Sequence, residues 1–276
     1  MRVSASPYGY SSQRGGGSSI RLIMGVVIAI ISIISYLASR SFNPVTGENQ
    51  YLSLTPDQEI ALGLQSAPEM IQEFGGMSPD QNAQQTVDNV GFNIVNKSVA
   101  HTTPWQFEYS VLADQQTVNA FALPGGQIFI TEALLSQLTT EDEVAGVLAH
   151  ETVHVLARHS AQQIASSDLT NGLIGAVSVA SGDASTAQTA AMIGQLIGLR
   201  YSRDDETQAD TLGVCLMLAA GYDPQGMVDV MHVLQNASGG SSQPEFLETH
   251  PNPANRIVQI QNAIQNASAN CGSYQG

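Results

Sequence analysis

Two histidines stand four residues apart in the string His150-Glu151-Thr152-Val153-His154. Four residues are a little more than one helical turn, so both imidazoles project from one face and can grip a single metal ion. Glu151 follows the first histidine on the same side, where it can hydrogen-bond water at the metal and serve as general base. Zinc is the ion this chemistry implies, because it lowers the pKa of water to about 7 and makes a nucleophile available at neutral pH. Val147, Leu148, Val155 and Leu156 flank the string and mark a buried helix. A buried histidine pair requires a partner.

A catalytic zinc site needs a third protein ligand and an open position. His159, His232, His250 and the carboxylates are candidates. His159 lies five residues past His154, which turns it well away from the ligand face and rejects it as a ligand. Glu206 and Asp210 lie one turn apart in the helix-like stretch from Tyr201 to Asp210. The metal set is then His150, His154 and Glu206, with Asp210 accepting the spare N–H of a ligating histidine and fixing its tautomer. An oxyanion donor is also needed, and Tyr201, Arg203 and His250 are candidates. His250 has a second available role: a neutral imidazole occupying the open position would hold an enzyme latent.

These residues need elements to position them. Thr140-x-x-Glu143 is a capping box that opens a long helix reaching about Ser166. Thr55-Pro56-Asp57-Gln58 starts a helix that Gly75-Gly76 stops, and Ser78-Pro79-Asp80-Gln81 repeats that start. Trp105, Phe107, Tyr109 and Val111 alternate with polar residues as a half-buried strand does. Thr117–Ala122 and Gln127–Thr131 read as strands joined by a turn at Leu123-Pro124-Gly125-Gly126. A peptide could lie along the edge near Phe121–Pro124, with Phe121 and Phe129 in the core. Residues 167–200, small and apolar, read as a packed helical hairpin or as a flap touching the membrane. Helices are also expected over Arg200–Ala220, Pro224–Gln235 and Pro253–Ala267.

The string HETVH with Arg158-His159, followed by YSRDDETQAD, resembles the HtpX-like gluzincin peptidases. That group includes the CAAX prenyl proteases and the Oma and BepA-type quality-control proteases. Residues Asn119–Ile130 resemble the group's strand-turn-strand beside the active site, and His250-Pro-Asn-Pro-Ala-Asn-Arg256-Ile257 its C-terminal motif. The resemblance covers about Pro56 to Ile260. It implies His150, His154 and Glu206 as zinc ligands, Glu151 as base and Asp210 as orienter, in a short single-domain member.

Leu22–Ala38 carries no charge and is flanked by Arg21 and Arg40. It reads as a membrane-spanning signal anchor, without a clean cleavage site. Arg2, Arg14 and Arg21 precede it, which places the N-terminus in the cytoplasm and the body outside as a single-pass protein. All 24 acidic residues lie at or after Glu48, where only five basic residues remain. So acidic a body excludes a nucleic-acid partner. Cys215 and Cys271 allow either two thiols or one bridge.

The expected architecture is α+β: a mainly helical, zincin-like domain with a small sheet, behind one transmembrane helix. Its boundaries are a disordered tail at 1–19, an anchor at 20–39, a linker at 40–54 and the peptidase domain at 55–276. The expected function is a zinc endopeptidase of the bacterial envelope acting on exposed or misfolded polypeptides. The alternatives are a latent zinc-site protein serving as a chaperone or assembly factor, and a prenyl-protein protease, which the single hydrophobic segment disfavours.

Overall fold

The apolar run forms one helix, α1 (Gly16–Ala38), in a computed structural model that describes residues 16–181, 201–237, 244–250, 255–272 and 274. Ser19–Ala38 is long and apolar enough to cross a membrane and is almost wholly exposed. The stretch expected as a linker is folded. Strands β1 (Arg40–Asn43) and β2 (Glu48–Tyr51) pair antiparallel, and Tyr51 stacks on Tyr36 of α1 at 4.7 Å.

Helix α2 (Pro56–Glu73) starts at Thr55 with both bonds of its capping box made. Helix α3 (Gln81–Lys97) is capped by Asp80 rather than Ser78, because Asp80 reaches the backbone N–H groups of Asn82 and Ala83. The Ser78 hydroxyl instead donates to Glu132. Strands β3 (Glu108–Leu112), β4 (Ala120–Ala122) and β5 (Gln127–Thr131) form a sheet in the order β3-β5-β4. Central β5 runs parallel to β3 and antiparallel to β4, which leaves β4 at the edge. The turn between β4 and β5 needs glycine. Gly125 and Gly126 have φ of 86° and 121°, and a Cβ on Gly125 would lie 2.4 Å from the Ile60 Cα.

After α4 (Glu132–Leu135) comes α5 (Glu141–Leu156), buried without interruption from Glu143 to Leu156. It packs against α3, α7 (Arg203–Ala220) and α8 (Gln225–Ala237) in the main apolar core. Three short elements, α9 (Glu245–Thr249), α10 (Arg256–Gln265) and α11 (Ala267–Asn270), close that side. Cys215 of α7 is bridged to Cys271 across 56 residues, which settles the two open readings for a disulfide. A bridge closing a loop of that length contributes about 4 kcal/mol in the chain-entropy model.

The long helix expected to reach Ser166 is broken. It ends at Leu156, and a second helix, α6 (His159–Ser181), begins three residues later. Arg158 sits between them at φ 57°, left-handed for a non-glycine residue. Buried Glu59 accepts from its guanidinium, Leu54 O accepts a further bond at 2.9 Å, and Trp105 lies 5.5 Å beneath it. These tertiary contacts hold a backbone conformation that Arg does not favour by itself. Of the hairpin expected over 167–200, the first part is the end of α6; residues 182–200 lie outside the described residues.

Candidate metal centre

Helix α5 presents His150, Glu151 and His154, α7 presents Glu206 and Asp210 from its first two turns, and His250 follows α9. Ligand atoms of His150, His154, Glu206 and His250 lie within 4.8 Å of one another, and all four residues are buried. The His150 and His154 Nε2 atoms are 3.0 Å apart. His250 Nδ1 lies 2.9 Å from Glu206 Oε1 and 3.3 Å from His150 Nε2, with the ring stacked on Phe246.

Hydrogen bonds behind the rings set which nitrogen faces the cluster. His150 Nδ1–H donates to Asp210 Oδ1 at 3.0 Å, leaving the Nε2 lone pair directed inward. For His154 the chain of partners is longer. Gln208 donates through Nε2 to Glu48 of β2, so its Oε1 accepts from His159 Nε2–H at 3.0 Å. The His159 Nδ1 lone pair then accepts from His154 Nδ1–H at 2.9 Å, and the His154 Nε2 lone pair also faces inward. Burial keeps His154 neutral well below its ordinary pKa. His250 Nε2 and both Glu151 oxygens are buried without a hydrogen-bond partner, while Glu206 Oε2 lies in an ion pair 3.0 Å from Arg256 Nη1. Inward lone pairs with unpartnered carboxylate oxygens fit a divalent metal ion, and two imidazoles with a carboxylate suit zinc.

Burial lifts the Glu151 carboxyl to about 7, with His150 opposing and Glu206 reinforcing the shift. Its Oε1 lies 3.7 Å from His250 Nε2. Asp210 is different: burial raises it, but Arg256 and His150 outweigh burial and hold it below the ordinary carboxylate range. Arg256, buried at the start of α10, donates from Nε and Nη2 to the two Asp210 oxygens, each at 2.7 Å. Its Nη1 reaches Glu206 Oε2 at 3.0 Å.

All six sequence-predicted residues, His150, Glu151, His154, Glu206, Asp210 and His250, meet in one buried cluster. Two other candidates do not. Arg203 and His232 are exposed, so neither reaches the cluster. Tyr201 stacks on His154 at 3.9 Å, but its hydroxyl is engaged with Ser160 Oγ at 3.0 Å. His159 stays off the ligand face as expected, yet the break at Arg158 turns it back against His154. Arg256 stands in the C-terminal motif without an assigned role, because an arginine in the first turn of an expected helix gives no local sign of burial.

Beside the edge strand β4, a narrow cavity of about 40 Å³ is lined by Phe74, Phe121, Leu123, Tyr201 and His250. Phe129 is buried in the core as expected, whereas Phe121, stacked between Phe74 and Phe129, is only half-buried and faces this cavity. Helix α9 is fastened over the approach to β4: Phe246 N–H donates to Val118 O at 3.2 Å and Asn119 Nδ2 to Glu245 at 3.1 Å.

Comparison with known proteins agrees with this geometry. The family described as Peptidase family M48 matches residues 81–264. The mitochondrial metalloendopeptidase OMA1 of Schizosaccharomyces pombe is 31% identical over 248 residues, 89% of this chain and 72% of that protein. The beta-barrel assembly-enhancing protease of Escherichia coli is 30% identical over 233 residues, 79% of this chain and 46% of its own. The chain thus spans about half the length of that bacterial relative.

Proposed function

The chain belongs to peptidase family M48 and is a metallopeptidase, and from that premise we propose that it is a membrane-anchored zinc endopeptidase of the cell envelope, latched by His250. His150, His154 and Glu206 hold the zinc, Glu151 is the base, and Asp210 orients His150. The observation that carries the reading is the set of inward lone pairs beside a buried Glu151 with neither oxygen engaged.

When bound, the metal supplies positive charge that acidifies water and polarises a peptide carbonyl. Glu151 takes a proton from water onto a carboxylate oxygen and returns it to the departing amine. Asp210, fixed by Arg256, holds the His150 ring and keeps its inner nitrogen unprotonated. An extended peptide adds main-chain hydrogen bonds along β4, which requires α9 and His250 to move aside. That requirement favours the latch: His250 sits among the ligand atoms, while α9 covers the approach to the strand.

Residues 20–39 form the anchor in this reading and residues 55–276 the peptidase domain, with an N-terminus facing the cytoplasm. The excess of arginines before the run (Arg2, Arg14, Arg21) over the single Arg40 just after it supports that orientation. Exposed or misfolded envelope polypeptides are the proposed substrates, in line with the assembly-enhancing role named for the bacterial relative.

The test is casein cleavage by the detergent-solubilised full chain with bound zinc quantified, alongside Glu151→Gln. One zinc in both proteins with cleavage by the wild type alone supports the assignment; absence of zinc from both removes the ligand set. Latching is tested by His250→Ala, which should raise the cleavage rate and change its pH dependence. A variant matching the wild type in both would remove the latch.

A further inference from the structure

Helix α6 leaves the metal centre and runs back along α1. The contact is intimate: a Cβ on Gly172 would lie 2.3 Å from Ser32 Oγ, and one on Gly25 2.6 Å from Ala176 O and 2.8 Å from the Ala180 Cβ. Small residues at Gly172, Ala176 and Ala180 thus meet Gly25 and Ser32, the close approach by which helices associate in lipid. Gly25 lies about 20 Å along α1 from its Ala38 end, at 1.5 Å per residue. With Ser19–Ala38 across a bilayer, Ala176 and Ala180 stand well inside its hydrocarbon core of about 30 Å.

The composition of α6 changes at the matching point. Its last charged residue is Asp168, and Leu169–Ser181 carries no charge. Leu173 flanks the face that meets α1 and Ile174 lies about half a turn round from Gly172, and they are 36% and 59% exposed. Thr170 returns its hydroxyl to Ser166 O at 3.0 Å, so it adds no unpaired polar group there.

We propose that the distal half of α6, Leu169–Ser181, enters the lipid bilayer beside α1, making the anchor a helix pair and docking the metal centre against the membrane surface. Nothing in the peptidase chemistry demands this. The proposal rests on reading α1 as the membrane anchor and extends it to a second segment. Its consequence is positional. His159, the first residue of α6 and the partner of His154, lies about 14 Å along the helix from Asp168. The centre therefore works within about two helical diameters of the headgroups, on polypeptide that emerges at or lies along a membrane surface.

The experiment uses the full chain, with its native disulfide intact, in phosphatidylethanolamine–phosphatidylglycerol vesicles. Nitroxide labels are placed singly at Ile30→Cys on α1, Ile174→Cys on α6 and Glu69→Cys on the exposed face of α2. Relaxation by oxygen, which concentrates in lipid, is compared with relaxation by a water-soluble nickel chelate. The expected ratio at Ile174 matches Ile30 and is shifted from Glu69. An Ile174 label that behaves like Glu69 while Ile30 remains lipid-like overturns the proposal and leaves the anchor standing. Should Ile30 also behave like Glu69, the anchor reading falls and the proposal with it.

Discussion

From Thr140 to Ala149, α5 is closed and buried by means written in its own sequence, whereas from His150 to Leu156 it is held by residues from other elements. At the first end Thr140 and Glu143 cap each other's backbone, and Val144, Val147 and Leu148 fill the core. At the second, Asn43 donates to Leu156 O at 2.8 Å and Gln50 to Ala157 O at 2.7 Å, both from the β1–β2 hairpin. Asp210, His159 and Arg256 then hold the ligand rings. The local end makes a helix; the remote end makes a site out of it. If that division is real, substitutions at the two ends should differ in kind as well as size.

The largest expected effect separates chemistry from folding. Glu151→Gln should lower cleavage by about 10²–10⁴-fold without loss of metal. Wild-type activity should fall as pH drops through a value at or below about 7, because burial lifts Glu151 to about 7 and a bound cation lowers it again. The stability sign is opposite. A carboxyl raised from 4.5 to about 7 contributes stability that is complete below the lower value and lost as pH rises through the higher. In metal-free protein above pH 7, Glu151→Gln should therefore be the more stable by about 1–3 kcal/mol, measured by urea unfolding.

Next comes Arg256→Met. It leaves Asp210 and Glu206 buried without their cation, a change that costs about 3–5 kcal/mol when one partner of a buried pair is removed. Denaturant midpoints for the two proteins measure it. A loss below about 1 kcal/mol would place this ion pair in the weak class of surface bridges and break the claim that the remote end depends on distant partners.

The sequence disclosed the two ends unequally for the same physical reason. Thr140 with Glu143, and Thr55 with Gln58, are contacts three residues apart, so type and spacing suffice to read them. His150 with His154, and Glu206 with Asp210, are legible because helical periodicity places them on one face. Arg158 could not be read this way. Its left-handed backbone depends on Glu59, about a hundred positions upstream, and without that break His159 points away from His154. The hairpin at 40–51 looked like a linker because its buried side chains, Asn43 and Gln50, are polar and short of any apolar alternation. They are buried to serve carbonyls at the end of α5, and such partners are invisible until the chain is folded.

Asn43→Ala tests that hidden end. It removes the donor to Leu156 O and should destabilise by about 1–3 kcal/mol, the range for leaving a buried polar group unpaired. Bound zinc should also weaken, because the same hairpin supplies Glu48 to the Gln208–His159–His154 chain. Competition against a chromophoric chelator reads that change. Unaltered zinc affinity would mean that the hairpin holds the helix but not the ring.

The smallest effect belongs to the local end. Thr140→Ala removes one N-cap bond and should cost about 1 kcal/mol, with zinc affinity unchanged. Its value lies in combination with Asn43→Ala. The ends of α5 are about 24 Å apart at 1.5 Å per residue, and sites that share no partner add within about 0.5 kcal/mol. The double variant should show the sum in urea midpoint and the zinc affinity of Asn43→Ala alone. A coupling well beyond that margin would mean strain passes along the helix from cap to site, and the two ends would then be one structural unit.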